Sequence, residues 1–272
     1  MVSITDIRSA VKSLTLSGQV VCLHSSLRSF GQLEGGAVAL VDGFLSEDCT
    51  VLVPTFSDDF SIPPPLNIRP KRNGWKYDGE YQQTQGIGRI YDPSINEVTL
   101  EEMGAVPAEV LSRPHRVRGL HPLCSFTALG KQAEILIAGQ THQDIFAPIR
   151  ALCEVGGFVV LIGVGLDKMT LLHAAEELAG RNPFIRWAND VNGDPIGVTM
   201  GGCSDGFGQL ANTLSPLKRE LQVGYSLWCI YPADQTLQAS ASKIRKNPEI
   251  THCSNPKCER CHDAILGGPI LN

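Results

Sequence analysis

The chain has 272 residues, 43% hydrophobic and 19% charged, proportions that suit a globular protein with a sizeable core and exclude a disordered or fibrous one. A formal net charge of −5 argues against a nucleic-acid binder, which needs concentrated Lys and Arg, and fits a neutral or cationic partner. Asp6, Arg8 and Lys12 interrupt any apolar signal core and no run of about 18 apolar residues occurs, so the expectation is a cytoplasmic protein without a membrane span.

In chain order, residues 3–18 read as a helix ending at Gly18, followed by a strand over Gln19 to His24 and a small-residue segment, Ser25-Ser-Leu-Arg-Ser-Phe-Gly31. A helix from about Gly35 to Leu45 and a strand at Thr50 to Thr55 complete a β-α-β order, which favours parallel pairing with right-handed crossovers. Residues 61–96 carry Pro63, Pro64, Pro65 and Pro70 and keep no period. They read as a long surface excursion containing Trp75, Tyr77 and Tyr81, of the kind that usually serves a site. A helix near Met103 to Ser112, an apolar segment at Leu123 to Leu129, and helices near 132–138 and 148–154 follow. The β-branched run Phe158 to Ile162 suits a strand buried on both faces; a Gly-Val-Gly turn and an amphipathic helix from about Thr170 come next. Asp190-Val-Asn-Gly193-Asp194 is a hairpin turn, making 183–203 an antiparallel pair. Helices at Phe207 to Leu214 and Pro232 to Lys246, with a strand at Gly224 to Ile230 between them, close the pattern. Without repeats or a low-complexity linker, residues 1–272 make one elaborated α/β domain: a mixed, largely parallel central sheet flanked by helices, plus an antiparallel hairpin extension.

Helical spacing puts Thr170, His173 and Glu176 on one face, just beyond a buried strand and a glycine turn, where open α/β sheets hold ligands. A carboxylate on one ring nitrogen fixes the tautomer and leaves the other nitrogen to accept a proton. The bland alternative is an exposed His-Glu pair worth about a few tenths of a kcal/mol. Of nine cysteines, Cys22, Cys49, Cys124, Cys153, Cys203 and Cys229 sit singly in or beside apolar segments and read as small buried hydrophobes. The other three crowd into His252-Cys253-x4-Cys258-x2-Cys261-His262, making 252–262 a metal-binding tail in which Cys258 and Cys261 share one metal and His252, Cys253 or His262 can assist. Reduced thiols or a redox pair are the competing reading.

Four collinear blocks carry a resemblance: His24-Ser-Ser-Leu-Arg-Ser-Phe-Gly31 with Gly35-Gly36; Val53-Pro-Thr-Phe-Ser57; Met103-Gly through Arg118-x-x-His121-Pro-x-x-Ser125; and Gly163-Val-Gly-Leu-Asp167-x-x-Thr170-x-x-His173-x-x-Glu176. Together they resemble the aminoglycoside 3-N-acetyltransferase family, and most closely its Cys-x-x-Cys-bearing branch. The resemblance implies acetyl transfer from acetyl-CoA to the 3-amine of a 2-deoxystreptamine ring, giving antibiotic resistance, with His173 as general base, Glu176 as its orienting carboxylate and Thr170 donating to the thioester oxygen. It implies coenzyme A along Ser25, Ser26, Arg28 and Gly31, and a polycationic substrate met by Asp58, Asp59, Asp205 and His121. By similarity to that branch, His142 and Asp58, or Asp59 in its place, would complete a structural zinc site with Cys258 and Cys261. The family pattern has Arg-Ser where this chain has Arg118-Gly119, so one hydroxyl contact is missing. The partners expected are thus small molecules, with a homodimer compatible.

Three other classes compete: an acyltransferase for a non-antibiotic amine of secondary metabolism, a Ser or Cys hydrolase using His173, and a noncatalytic metal-binding module. The hydrolase lacks a Gly-x-Ser-x-Gly elbow, and Cys124 and Ser125 have no evident base beside them. A dinucleotide enzyme is weaker still, because Gly163-Val-Gly165 lacks the third glycine.

Overall fold

Alternation of apolar residues along the strands decides the layering. In a computed structural model that describes residues 1–75, 88–99 and 103–270, Val21 and Leu23 of strand β1 (Val20–Ser25) point into one core, while Cys22 points into the other. The same switch runs through β2 (Thr50–Pro54) and β5 (Phe158–Ile162): Val51, Val53, Val160 and Ile162 face one way, Leu52, Val159 and Leu161 the other. A sheet apolar on both faces needs cover on both. Helices Ile4–Ser13 and Gly36–Leu45 supply Ile7, Val11, Leu40 and Phe44 to one core. Helices Ala147–Glu154, Leu171–Leu178 and Ala233–Lys246 cover the other with Leu152, Leu172 and Leu237 among their contacts.

The sheet has seven strands in the order β3-β4-β2-β1-β5-β9-β8, with β3 at Val117–Arg118, β4 at Phe126–Leu129, β8 at Arg219–Val223 and β9 at Ser226–Pro232. It is mixed, as expected, with the parallel part confined to β2-β1-β5; both flanks are antiparallel. The reason lies in the connections: the Gly36–Leu45 helix carries the chain from β1 to β2 and the Ala147–Glu154 helix leads it into β5, whereas β8 and β9 meet through a tight turn. The expected hairpin is present as a separate two-stranded sheet, β6 (Phe184–Asn189) with β7 (Pro195–Met200). Strand β8 escaped the sequence reading because Arg-Glu-Leu-Gln-Val lies at an edge, where only one face is covered and charges remain solvated. The opening helix stops at Ser13, short of Gly18, because Leu14 to Gln19 turn back to align Val20 with Thr50.

Of the 61–96 excursion, Asn73 is fully buried and exchanges hydrogen bonds with the Ile185 main chain, so it packs along β6; Tyr77 and Tyr81 lie outside the described residues. No described helix is long and apolar enough to cross a membrane.

Gly163, where β5 ends, adopts φ 62°, and a Cβ there would meet Ser29 at 2.1 Å. The loops after β1 and β5 therefore close on each other only because residue 163 has no side chain. Gly163→Ala should destabilise by about 2–4 kcal/mol, combining the left-handed backbone cost with overpacking. Calorimetry should show the Tm falling by about 5–10 °C; an unchanged Tm would contradict the packing.

Candidate active site

Strands β1 and β5 run parallel and in register, with His24 beside Leu161 and Ser25 beside Ile162, so their carboxyl ends open at one edge. Beyond that edge β1 turns into a short 3₁₀ segment, Leu27–Phe30, and β5 passes through Gly163-Val-Gly165 into Leu166–Lys168 and then the Leu171–Leu178 helix. These loops, with Pro54 at the end of β2 and Phe56 after it, wall a cleft of about 1020 Å³. Its size suits an extended cofactor. Ser25, Ser26 and exposed Arg28 line one side, Thr170 and His173 the other.

The imidazole is held from several directions. Nδ1 faces Glu176 Oε2 at 2.9 Å, with the two side chains only 14% and 9% exposed. The exposed-pair alternative is thereby removed. The ring stacks on Phe146 at 6.4 Å and meets Phe207 edge-on at 4.7 Å, and Gly201 lies so close that a Cβ there would be 3.0 Å from the ring. With Nδ1 donating to the carboxylate, Nε2 is the nitrogen left to take up a proton. Glu176 Oε1 in turn accepts from Arg181 Nη1, which also donates to Thr251 Oγ1 at 2.7 Å. Arg181 is 8% exposed and supplies the buried carboxylate with its counter-charge.

Arg181 was missed by sequence reading. Its signal, an arginine directly after Gly180 and five residues past Glu176, is an ordinary helix ending, and only the path of the chain turns it back onto the carboxylate. Phe146, Gly201 and Phe207 were missed for the same reason. His24, which the sequence places at the strand end, is a wall residue buried beside Cys22 with 3.7 Å between Nε2 and Sγ, where burial pushes its pKa down to about 4.

Several expected positions are corrected. His121 is wholly buried: Nδ1 accepts from the Leu123 and Cys124 amides, at 3.2 and 2.9 Å, and Nε2 donates to Thr199 O at 2.8 Å. Both nitrogens are used, so it staples the turn before β4 to β7 and leaves nothing for a substrate. Burial lowers its pKa to about 4. Gly31 is not part of the cleft wall; it is a positive-φ turn beneath Tyr225. Asp58 and Asp59 sit on a 3₁₀ turn outside the cleft wall, where burial and Asp59 raise the Asp58 pKa against the opposing effect of Arg186. Asp205 is exposed beside Cys203; among the described cleft residues the carboxylate is Asp167. Ser125 is fully buried on Thr55 and Arg118, and neither it nor Cys124 lines the cleft, so neither of these two is placed to serve a hydrolase there.

The tail departs from the expected ligand set. Cys203, Cys253, Cys258 and Cys261 bring their sulfurs within 4.8 Å of one another, whereas His142 and Asp58 are not in this group. His142 is held on the β7 side, its carbonyl accepting from the Thr199 amide. Cys203 is thus no simple core hydrophobe. Four thiolates about 2.3 Å from a zinc ion stand roughly 3.8 Å apart, so the cluster fits a closed tetrahedral site. The Cys253 amide donates to Cys261 Sγ at 3.4 Å, the kind of outer support that orients a thiolate ligand.

A layered α/β sheet with an imidazole–carboxylate pair beside a cofactor-sized cleft defines a class of ligand-binding α/β proteins rather than one activity. Residues 22–200 match the family model described as aminoglycoside 3-N-acetyltransferase, and the chain belongs to that family. Aminoglycoside N(3)-acetyltransferase VII of Streptomyces paromomycinus is 30% identical over 168 residues, 60% of this chain and 55% of that protein. The chain spans just over half the length of the first curated relatives it matches. The crystal structure of the apoenzyme of aminoglycoside acetyltransferase AAC(3)-IVa superposes with a TM-score of 0.76 at 23% identity, covering 97% of each chain. AAC-IIIb, crystallised as a binary complex with CoASH, gives 0.70 at 20% identity, covering 90% of this chain and 96% of that one.

Stability should depend on pH through His24 and His121. An unfolded histidine protonates near 6.5 but these two protonate in the fold only near about 4, so between those values the unfolded state binds more protons and stability falls as pH is lowered. At pH 5 the loss should reach about 2 kcal/mol per ring relative to pH 7. Urea titrations at the two pH values measure it, and coincident midpoints would contradict the buried neutral state.

Proposed function

We propose that this chain transfers an acetyl group from acetyl-CoA to the 3-amine of a 2-deoxystreptamine aminoglycoside, a reaction that removes one positive charge from the antibiotic and so confers resistance. The observation that carries the reading is the buried 2.9 Å contact between His173 Nδ1 and Glu176 on the wall of the 1020 Å³ cleft. Family membership and the name of the Streptomyces relative support the substrate class, and the CoASH complex of the AAC-IIIb neighbour supports the cosubstrate.

In this reading Arg28 meets a coenzyme phosphate, with Ser25 and Ser26 bonding along the pantetheine arm. His173 Nε2 takes a proton from the substrate ammonium; the freed amine attacks the thioester carbonyl, the C–N bond forms and the C–S bond breaks. The proton held on His173 then passes to the departing thiolate and the second proton on the new amide nitrogen leaves to solvent, a direct transfer with no acyl-enzyme. Thr170, 8% exposed and not engaged as a helix cap, donates to the oxygen as negative charge develops. Asp167 on the cleft wall offers a carboxylate to a polycation. The chemistry applies equally to a non-antibiotic amine, and an amine panel separates the two.

We also propose that Cys203, Cys253, Cys258 and Cys261 hold a structural zinc. Bound there, the ion cross-links chain segments and does no chemistry, since four thiolates leave no open position.

His173→Ala should fold normally and lose about 100- to 10,000-fold in turnover of acetyl-CoA with kanamycin, gentamicin or apramycin, followed by thiol release. Glu176→Gln should lose less. Full activity in His173→Ala would remove the proposed mechanism. Elemental analysis should find one zinc per chain, lost in Cys258→Ser and Cys261→Ser; unchanged metal content in those variants would remove the metal proposal.

A further inference from the structure

The four cysteines come from two stretches, and each stretch also supports one half of the proposed catalytic pair. Cys203 lies between Gly201 and Phe207, the residues packed against the His173 ring. Cys253 lies two residues beyond Thr251, whose hydroxyl holds Arg181 and, through Arg181, the outer oxygen of Glu176. The stretches also pack directly: a Cβ on Gly206 would fall 2.1 Å from Thr251 O, and Gln209 Nε2 donates to His252 O at 2.6 Å. Beyond these contacts the thiol cluster gives them a shared anchor, with Cys258 and Cys261 at the start of the Glu259–Ile265 helix supplying the other two sulfurs.

We infer that the Cys203-Cys253-Cys258-Cys261 site is a clasp that positions the base: by joining the segment behind the His173 ring to the segment behind Arg181, it fixes the imidazole against Glu176. The inference rests on the acetyltransferase reading for its kinetic consequence alone. Small displacements of a general base are costly, since about 1 Å of misplacement can cost about 100-fold in rate. The wall residues Ser25, Ser26 and Arg28 stand at the end of β1 and in the turn after it, away from the cysteine segments, and of the lining residues Ser204 adjoins Cys203, so KM for acetyl-CoA should move far less than kcat. The cysteines are positioning residues: none lines the cleft.

The test uses the zinc-loaded full chain, the same protein stripped with a chelator and reloaded, and the variants Cys203→Ser and Cys203→His. Three quantities are read: kcat, KM for acetyl-CoA, and the ring-nitrogen NMR signature of His173, assigned by its disappearance in His173→Gln. Stripped protein and Cys203→Ser should lose about tenfold or more in kcat, part of the 100- to 10,000-fold a general base contributes, with KM for acetyl-CoA held within about twofold. Their spectra should lose the single Nδ1-protonated form. Zinc reloading and Cys203→His, which keeps a zinc ligand, should restore both. A folded, stripped protein with unchanged kcat and ring spectrum overturns the clasp. So does global unfolding on stripping, because the site would then hold up the fold and not the base. If the loaded wild type acetylates no amine, the acetyltransferase reading fails, and the ring spectrum still decides the clasp.

Discussion

A carboxylate buried beside an imidazole needs a cation, and the structure depends on how that cation arrives. Glu176 is 9% exposed, and a charge so placed is tolerated only when paired and hydrogen-bonded. Its partner Arg181 follows on the same stretch of chain, yet reaches inward because the Thr251 hydroxyl and the Pro248 carbonyl also accept hydrogen bonds from it. One oxygen of Glu176 is thereby committed to Arg181, and the other to His173. The order His173, Glu176, Arg181, Thr251 runs from the cleft to the C-terminal tail, so the geometry at the cleft is set partly by residues remote from it in sequence.

The sheet prepares that chain of contacts. Parallel pairing of β1 with β5 brings two loop ends to one edge, and the small residues there, Gly163 against Ser29, let the loops close. The Leu171–Leu178 helix then starts beside the cleft and buries Leu171, Leu172, Ala174 and Ala175 in the core, which turns His173 toward the cleft without sacrificing packing. Phe146, Gly201 and Phe207 complete the enclosure from other parts of the chain.

Motif patterns were most legible where a function demands local spacing. The cleft loops Ser25 to Arg28, the glycine turn at 163–165 and the His173-x-x-Glu176 pair stand where the strand ends predicted them. His121 shows the limit: a His-Pro in a loop reads as a ligand contact, yet its ring accepts from the Leu123 and Cys124 amides of its own turn and donates to the Thr199 carbonyl. The acidic residues fared similarly, because Asp58 and Asp59 follow a strand that ends at the cleft but are carried aside by a single 3₁₀ turn.

By itself the sequence determined the strand-turn-helix elements, the two-faced core and the i,i+3 geometry of base and carboxylate, all consequences of backbone periodicity within a few residues. It also marked Cys258 and Cys261 as neighbours for the same reason. Tertiary structure alone decided that Arg181 backs Glu176, that Cys203 joins a tail 50 residues away, counting to Cys253, and that His121 serves the backbone. Those relations link segments whose separation in sequence carries no periodic signal, and they exist only once the helices have packed on the sheet and fixed where each loop returns.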